Sequence, residues 1–288
     1  MISTNLKKLP KNTFEILVEI PWADIDKQFG KSFEILQKEL AIEGFRKGKV
    51  PKALAEKHIK RESVFENILR TLLPGIYEEV IKKEDLKPVI SPKIELVEAK
   101  DKANWKIRFT IAQKPEIILG NYKEVIKKAK ANKKPEIWTP GKPVEAPKEN
   151  KEVDAQKNLS LMLEALLKEV KCEISDIIIE EELEKRLAKF VDDLIKIGLT
   201  VDSYLKSNNL TKEQLRERFS REILDTYKLE FILAEISEVE KIVVEEADLA
   251  KLFTNFKTDA ERDEAKKNAY FYSTILRKQK TLDYLNSL

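Results

Sequence analysis

Residues 13–40 read TFEILVEIPWADIDKQFGKSFEILQKEL, and the spacing of their apolar side chains changes at Pro21. Before the proline, apolar and polar residues alternate, which is typical of a β-strand with one buried face. The residues of that face are Phe14, Ile16, Val18 and Ile20. After the proline, apolar residues recur every three or four positions, as on one side of an amphipathic helix: Ile25, Phe29, Phe33, Leu36 and Leu40. The stretch predicts a half-buried strand followed by a helix.

The residues that follow extend this pattern into a small domain. Gly44 is suited to end the first helix, and Pro51 to begin a second that runs to about Glu84 with a bend near Pro74. Alternating apolar residues then predict strands at 90–97 and 105–111. The order β-α-α-β-β over residues 1–120 predicts an α+β domain, an antiparallel sheet covered by helices on one face.

The rest of the chain divides at a proline-rich, lysine-rich stretch, residues 121–153, which predicts an extended linker. Residues 154–288 show helical periodicity throughout and predict an all-α domain with long helical arms. Capping boxes are predicted at Thr211 with Gln214 and at Thr258 with Glu261, and at least one helix should approach 30 residues.

The length of 288 residues predicts about two domains. Three features of the sequence favour a cytosolic protein. The single cysteine, Cys172, cannot form an internal disulfide, which favours a reducing compartment. The first lysines are not followed by an apolar stretch, so we expect no signal peptide. No run of about 18 apolar residues predicts a membrane span.

Charge is distributed unevenly along the chain. Residues 1–120 carry a net charge of +5, residues 121–153 carry +4, and residues 154–288 carry −6. An anionic partner such as RNA would therefore be attracted to the first half. Ordinary variation of surface charge explains the imbalance equally well.

The residues offer no pattern for catalysis, and the sequence predicts no cofactor and no metal. The one histidine, His58, lies in a basic helical stretch and is interpreted as a surface residue, which excludes a multi-histidine metal site. Cys172 follows an apolar helical stripe and is interpreted as a core residue. None of the 7 glycines has the spacing of a phosphate-binding loop. A binding protein is favoured over an enzyme.

One loop resists a purely structural interpretation: residues 44–51, GFRKGKVP, between two predicted helices. A simple turn accounts for Gly44 and Pro51, but it leaves Phe45, an apolar side chain beside two cations, without an explanation. Phe and Arg are both enriched at protein interfaces, and the lysines around the loop suit contact with phosphates. A turn and a docking loop remain equally open at this point.

The loop resembles the ribosome-attachment signature G-F-R-x-G-x-x-P of bacterial trigger factors at all five fixed positions, and residues 275–285 are similar to the end of that family's helical domain. The resemblance implies docking beside the polypeptide exit tunnel, with a ribosomal protein and adjacent rRNA as the receptor. The ribosome-binding residues it implies are Gly44, Phe45, Arg46, Lys47, Gly48, Lys49, Val50 and Pro51. The extended basic surface would include Lys52, Lys57, Lys60 and Arg61.

The resemblance also implies an ATP-independent chaperone that shields nascent and unfolded polypeptides, and a homodimer away from the ribosome. Trigger factors carry a prolyl-isomerase domain between their two ends, and residues 121–153 are too few to form one. We therefore expect no isomerase activity. Two other functions stay open: a plain RNA-binding module, and a helical chaperone of the SurA type that does not bind ribosomes and would require a signal peptide.

Overall fold

A computed structural model describes residues 3–131, 151–254, 256 and 258–288. The chain forms two compact units, Met1–Lys114 and Pro115–Leu288. The first is an antiparallel sheet with helices and the second is mostly helical, which confirms the predicted fold class.

The first unit contains four strands and three helices: β1 Ser3–Leu9, β2 Thr13–Ile20, α1 Trp22–Glu39, α2 Lys52–His58, α3 Arg61–Lys83, β3 Lys93–Glu98 and β4 Trp105–Ala112. The antiparallel sheet has the order β1-β2-β4-β3. Strand β1 was not predicted, because it lies at the sheet edge and has few buried residues. It joins β2 through a tight turn in which Lys11 and Asn12 have φ of 58° and 49°.

The core of this unit lies on one face of the sheet. Strands β2 and β4 pair so that Ile16 faces Phe109 and Val18 faces Ile107. These side chains join buried residues of α1 and α3 in one cluster: Ile25, Phe33, Val64, Ile68, Ile76 and Val80. The apolar residues that alternate along the predicted strands and recur along the predicted helices therefore form this core.

The helix predicted to run from Pro51 to about Glu84 is in fact two helices. It breaks at Ile59 and Lys60, where both residues have extended backbone (ψ of 111° and 145°). Helix α3 continues through Pro74, as the predicted helical run to about Glu84 requires. Buried residues on both sides of the proline, Ile68 and Ile76, hold the helix against the sheet. Strand β3 begins at Lys93, three residues later than predicted.

The second unit contains eight helices among its described residues, and one short strand pair: β5 Ile117–Ile118, α4 Tyr122–Ala131, α5 Lys151–Glu169, β6 Lys171–Cys172, α6 Asp176–Lys196, α7 Val201–Ser207, α8 Lys212–Val239, α9 Glu246–Thr254, α10 Asp259–Lys267 and α11 Ala269–Ser287. Helix α8 has 28 residues, as the long periodic run predicts. The capping boxes at Thr211 and Thr258 are both present. The final predicted helix is divided at Asn268.

The stretch predicted as an extended linker is partly helical. Residues Tyr122–Ala131 form α4, which packs against α5 and buries Tyr122 and Ile126. The division between the units falls at Lys114, so residues 115–120 belong with the helices and not with the sheet. The sequence of α4 has a short amphipathic pattern, but its many lysines made this stretch resemble the rest of the basic linker. Residues 132–150 of the predicted linker lie outside the described residues.

Two further sequence expectations concern Cys172 and the membrane. Cys172 is buried, as expected of a core residue, but it lies on β6 and not at the end of a helix. Burial raises the pKa of its thiol. Of the helices in the described part of the chain, none is long and apolar enough to cross a lipid bilayer.

Candidate functional site

The loop between α1 and α2 consists of two consecutive turns. In the first, the amide of Phe45 donates to the carbonyl of Ile42 at 3.0 Å, and in the second the amide of Lys49 donates to the carbonyl of Arg46 at 2.9 Å. The third residue of each turn is a glycine, Gly44 with φ of 87° and Gly48 with φ of 80°. Positive φ at this position favours glycine. The backbone of the two turns therefore favours glycine at positions 44 and 48.

The loop is tied to the helices at its C-terminal end. The side-chain amide of Gln37 on α1 donates to the carbonyl of Val50 at 2.7 Å. The Val50 side chain is 2% exposed and belongs to the core of the unit, so it anchors the loop from inside. Helix α2 begins directly after Pro51, as predicted, and Pro51 is its N-terminal cap residue.

The middle of the loop presents an apolar side chain between free cations. Phe45 is 40% exposed, although large apolar side chains in this unit are mostly buried. The side chains of Arg46, Lys47 and Lys49 are exposed and form no hydrogen bond or ion pair with any residue that the structure describes. An apolar anchor and unpaired cations on a fixed backbone suit binding to a protein surface and to phosphates.

The basic surface continues along α2 but ends before α3. Lys52, Lys57 and Lys60 are exposed, in agreement with the sequence. Arg61 differs, because its guanidinium forms an ion pair with Asp101 at 3.1 Å and lies 5.4 Å from the ring centre of Phe29. The guanidinium of Arg61 therefore interacts with residues of its own unit, unlike the exposed lysines of α2.

The other candidate residues for chemistry do not form a site. His58 is exposed, as predicted. No group of three or more histidine, cysteine or acidic side chains that could hold a metal ion occurs among the residues with described positions.

The second unit exposes an aromatic surface on α9 and α11. Phe253 and Tyr272 pack edge to face, with ring centres 5.8 Å apart, while Tyr270 is 89% exposed. A cleft of about 500 Å³ adjoins Phe253 and is lined by Leu249, Ala250, Thr254, Glu246, Arg262 and Lys266. Exposed apolar surface of this kind marks binding sites in soluble proteins. The sequence signal for it was the run of three aromatics at 270–272, which one helix face cannot bury together.

A second apolar patch lies where α6 ends. Ile195 and Ile197 are 66% and 68% exposed, and Val191 and Leu199 accompany them. In the sequence Ile195 continues the apolar spacing of Leu187, Phe190 and Leu194, but in the structure its side chain lies in solvent. The helix ends at this patch with Gly198 at φ of 74°, a position that favours glycine.

One carboxylate, Glu240 at the end of α8, joins three helices of this unit. It accepts hydrogen bonds from Tyr122 on α4 at 2.6 Å and from Tyr284 on α11 at 2.7 Å. It also forms an ion pair with Lys123 at 2.7 Å. The Lys123 ammonium, followed by the two tyrosine hydroxyls, holds the pKa of the Glu240 carboxyl at about 2. Burial and the nearby carboxylate raise the pKa of Tyr122. This contact fixes α4, the helix within the predicted linker, to the helical body.

Comparisons with known proteins match both units. The sequence model of the bacterial trigger factor protein matches residues 2–137, and the model of the trigger factor C-terminus matches residues 144–285. The trigger factor of Lactiplantibacillus plantarum is 34% identical over 119 residues, 41% of this chain and 27% of that protein. The trigger factor of Finegoldia magna is 36% identical over 107 residues, 37% of this chain and 24% of that protein. The matched region thus spans about a quarter of each relative's length.

A solved structure also resembles this one in fold. It comes from work on promiscuous substrate recognition in the folding and assembly activities of the trigger factor chaperone. The two share 17% sequence identity and a TM-score of 0.62, over 98% of each chain. Because the two sequence models of one family together account for residues 2–137 and 144–285, this chain belongs to the trigger factor family.

Proposed function

We propose that this protein is a ribosome-associated molecular chaperone that works without ATP. It docks beside the polypeptide exit tunnel through residues 44–51, and it shields nascent and unfolded polypeptides from aggregation through apolar surfaces of its helical unit. Its receptor is a ribosomal protein together with adjacent rRNA, in the cytoplasm. Away from the ribosome, two copies associate as a homodimer.

The observation that carries the docking proposal is the geometry of the loop. Two glycine turns fix the backbone, and they leave Phe45, Arg46 and Lys47 exposed at its middle. Holding an aromatic side chain partly in water has a hydrophobic cost that contact with a receptor removes. Two unpaired cations beside it supply attraction to rRNA or to acidic side chains.

The client-binding proposal rests on the two apolar surfaces of the helical unit. The aromatic surface around Tyr270 and the patch around Ile195 both expose large side chains that a folded unit would otherwise bury. Exposed aromatic and aliphatic area binds apolar side chains of an unfolded chain without requiring a particular sequence. Such binding suits a chaperone that holds many clients.

We also propose that the protein is not a prolyl isomerase. The two family matches leave only residues 138–143 between them. Six residues cannot contribute a separate catalytic domain at this position. The direct test of this proposal is an isomerase assay.

The docking proposal is tested by sedimentation of the full chain with ribosomes. The triple variant Phe45→Ala, Arg46→Ala, Lys47→Ala should lose most ribosome binding, since truncating anchor residues costs ~2 kcal/mol or more each. A matched control is Leu6→Ala, Lys7→Ala, Lys8→Ala, which removes an apolar side chain of similar exposure and two exposed cations from β1. The control should bind as the unchanged chain does. Equal binding by both variants would overturn the docking assignment.

The same experiment separates the alternative of a plain RNA-binding module. The basic loop favours this alternative as far as charge is concerned, because Lys47, Lys49 and Lys52 are all exposed. An RNA-binding module should bind purified rRNA as tightly as it binds ribosomes. A docking chaperone should prefer intact ribosomes, because its apolar anchor requires a protein receptor.

A further inference from the structure

A cleft of about 410 Å³ lies beside the docking loop, between α1 and the helices α2 and α3. Its floor is apolar and is formed by Phe29, Phe33, Ile59 and Val64. Two of its lining residues connect it to the loop. Gln37, which lines the cleft, holds the carbonyl of Val50 at 2.7 Å, and Lys52, another lining residue, directly follows Pro51.

The rim of the cleft carries two carboxylates, Glu34 on α1 and Glu56 on α2. Both side chains are exposed and form no ion pair or hydrogen bond with another described residue. The cation at the far end, Arg61, is already paired with Asp101. Lys52 is the one rim cation without a partner in the described part of the chain. The rim therefore offers a cationic ligand two free carboxylates.

A glycine occupies the middle of the cleft's wall on α1. Glycine is the poorest helix-forming residue after proline, so a glycine inside a helix reduces its stability. At Gly30, apart from its chain neighbours and the backbone of its own helix, no atom comes within 4 Å of the position that a Cβ would occupy, and Gly30 lines the cleft. The packing of this unit does not require glycine there. A ligand that approaches the helix backbone would require it.

We infer that this cleft receives a lysine or arginine side chain of the ribosomal protein that the loop contacts. The methylene groups of such a side chain fit an aromatic and aliphatic floor, while its charge reaches Glu34 and Glu56 at the rim. Phosphate is disfavoured, because the two unpaired carboxylates outnumber Lys52, the one unpaired cation at the rim among the described residues. This side of the docking surface therefore contacts protein, and the cations of the loop remain for rRNA. The inference rests on the proposed docking function.

The first test fills the cleft without changing charge. The variant Gly30→Gln places a long helix-forming side chain in the wall, and its matched control is Gly75→Gln on α3, at the other helical glycine with no atom within 4 Å of its Cβ position. Neither variant should lower the melting temperature. Gly30→Gln should weaken ribosome binding by about tenfold, and Gly75→Gln should leave it unchanged. Equal binding by the two variants would overturn the inference.

The second test uses the sign of a charge effect. If the cleft holds a cation, the double variant Glu34→Gln, Glu56→Gln should bind ribosomes about three- to tenfold more weakly. If the cleft instead faces rRNA, removing two negative charges should strengthen binding, and that result would refute the inference. Glu66→Gln with Glu79→Gln, two exposed carboxylates on α3, is the control for net charge.

The outcomes separate this inference from the docking proposal. Loss of binding in the Phe45, Arg46, Lys47 variant together with normal binding in the cleft variants would refute the cleft alone. Normal binding in the loop variant, or no binding by the unchanged chain, would refute the docking function and the cleft with it. Weakened binding in the loop variant and in both cleft variants supports both.

Discussion

Replacing Glu240 by glutamine should destabilise the helical unit, because one carboxylate connects three of its helices. Its oxygens accept from Tyr122 and Tyr284 and pair with Lys123, all within 2.7 Å. Glutamine keeps the size and one accepting oxygen but removes the charge. Each of the three donors then loses part or all of its partner, and the attachment of α4 to α8 and α11 weakens.

The expected size follows from the pKa of the carboxyl. A pKa lowered from 4.5 to about 2 favours folding by at most about 3–4 kcal/mol at neutral pH. The Glu240 side chain is 19% exposed and that of Lys123 is 43% exposed, so solvent screens part of this energy. We expect the glutamine variant to lose about 1–2 kcal/mol of unfolding free energy.

The pH dependence has a defined sign. Because the pKa of Glu240 is lower in the folded state, its contribution is fully present above pH 4.5 and is lost as the pH falls towards 2. The difference between the unchanged chain and Glu240→Gln should therefore be largest at neutral pH and should shrink across that window. Urea unfolding followed by circular dichroism at several pH values measures it.

A control on the same helix makes the result interpretable. Glu217 on α8 pairs with Arg221, and both side chains are more than 70% exposed. Glu217→Gln should cost less than about 0.5 kcal/mol at any pH. Amide hydrogen exchange of α4 should accelerate in the Glu240 variant and not in the control. Equal unfolding free energies for the two variants, or a loss that does not change with pH, would refute the argument.

Three other predictions concern the loop, catalysis and the division of labour. Gly48→Ala should destabilise the first unit by about 1–2 kcal/mol and more than Gly44→Ala, because a Cβ at Gly48 would lie 3.2 Å from the carbonyl oxygen of Lys38 whereas the space at Gly44 is open; denaturant unfolding that ranks them in reverse would contradict this. The purified protein should not accelerate isomerisation of a prolyl peptide, which takes ~10–100 s unaided, and catalysis proportional to protein concentration would show that the proposal is wrong. A fragment of residues 1–114 should bind ribosomes in a salt-sensitive manner with little effect on aggregation of a denatured client, and a fragment of residues 115–288 should do the opposite; a folded, monomeric second fragment that leaves aggregation unchanged would exclude it as the client-binding unit.

The sequence predicted those elements whose apolar residues all point to one side. Strands β2 and β4 and helix α1 were recovered because their buried faces repeat every two residues or every three to four. The capping boxes at Thr211 and Thr258 were recovered because the side chains that form them are close in sequence. In each case the information lies within one turn or one strand.

The sequence failed where distant residues decide the local structure. Strand β1 has little periodicity, since pairing with β2 holds it at the sheet edge. Helix α4 lies in a stretch of lysines and prolines, and it depends on contacts with Glu240, more than a hundred residues away. No count of local preferences contains these contacts.

The candidate site divides along the same line. The loop proposed to dock could be predicted from sequence as two helix-flanking positions, because its glycines satisfy a backbone requirement for positive φ and Pro51 caps the next helix. Its proposed role came from its resemblance to the trigger factor signature. The cleft beside it could not be predicted, because Gly30, Glu34 and Glu56 come together only when α1 and α2 lie side by side.

The surfaces proposed for clients differ from the docking loop in what they require of the sequence. A loop that must present Phe45 at a fixed place needs particular residues at fixed spacing, because a backbone with positive φ accepts few side chains. An apolar surface such as that around Tyr270 needs only exposed aromatic or aliphatic area, which many residues supply equally well. Docking therefore requires particular residues at fixed spacing, whereas holding unfolded chains requires only a sufficient content of exposed apolar residues. The proposed docking site is therefore a run of eight residues, whereas the proposed client surfaces are spread over α6, α9 and α11.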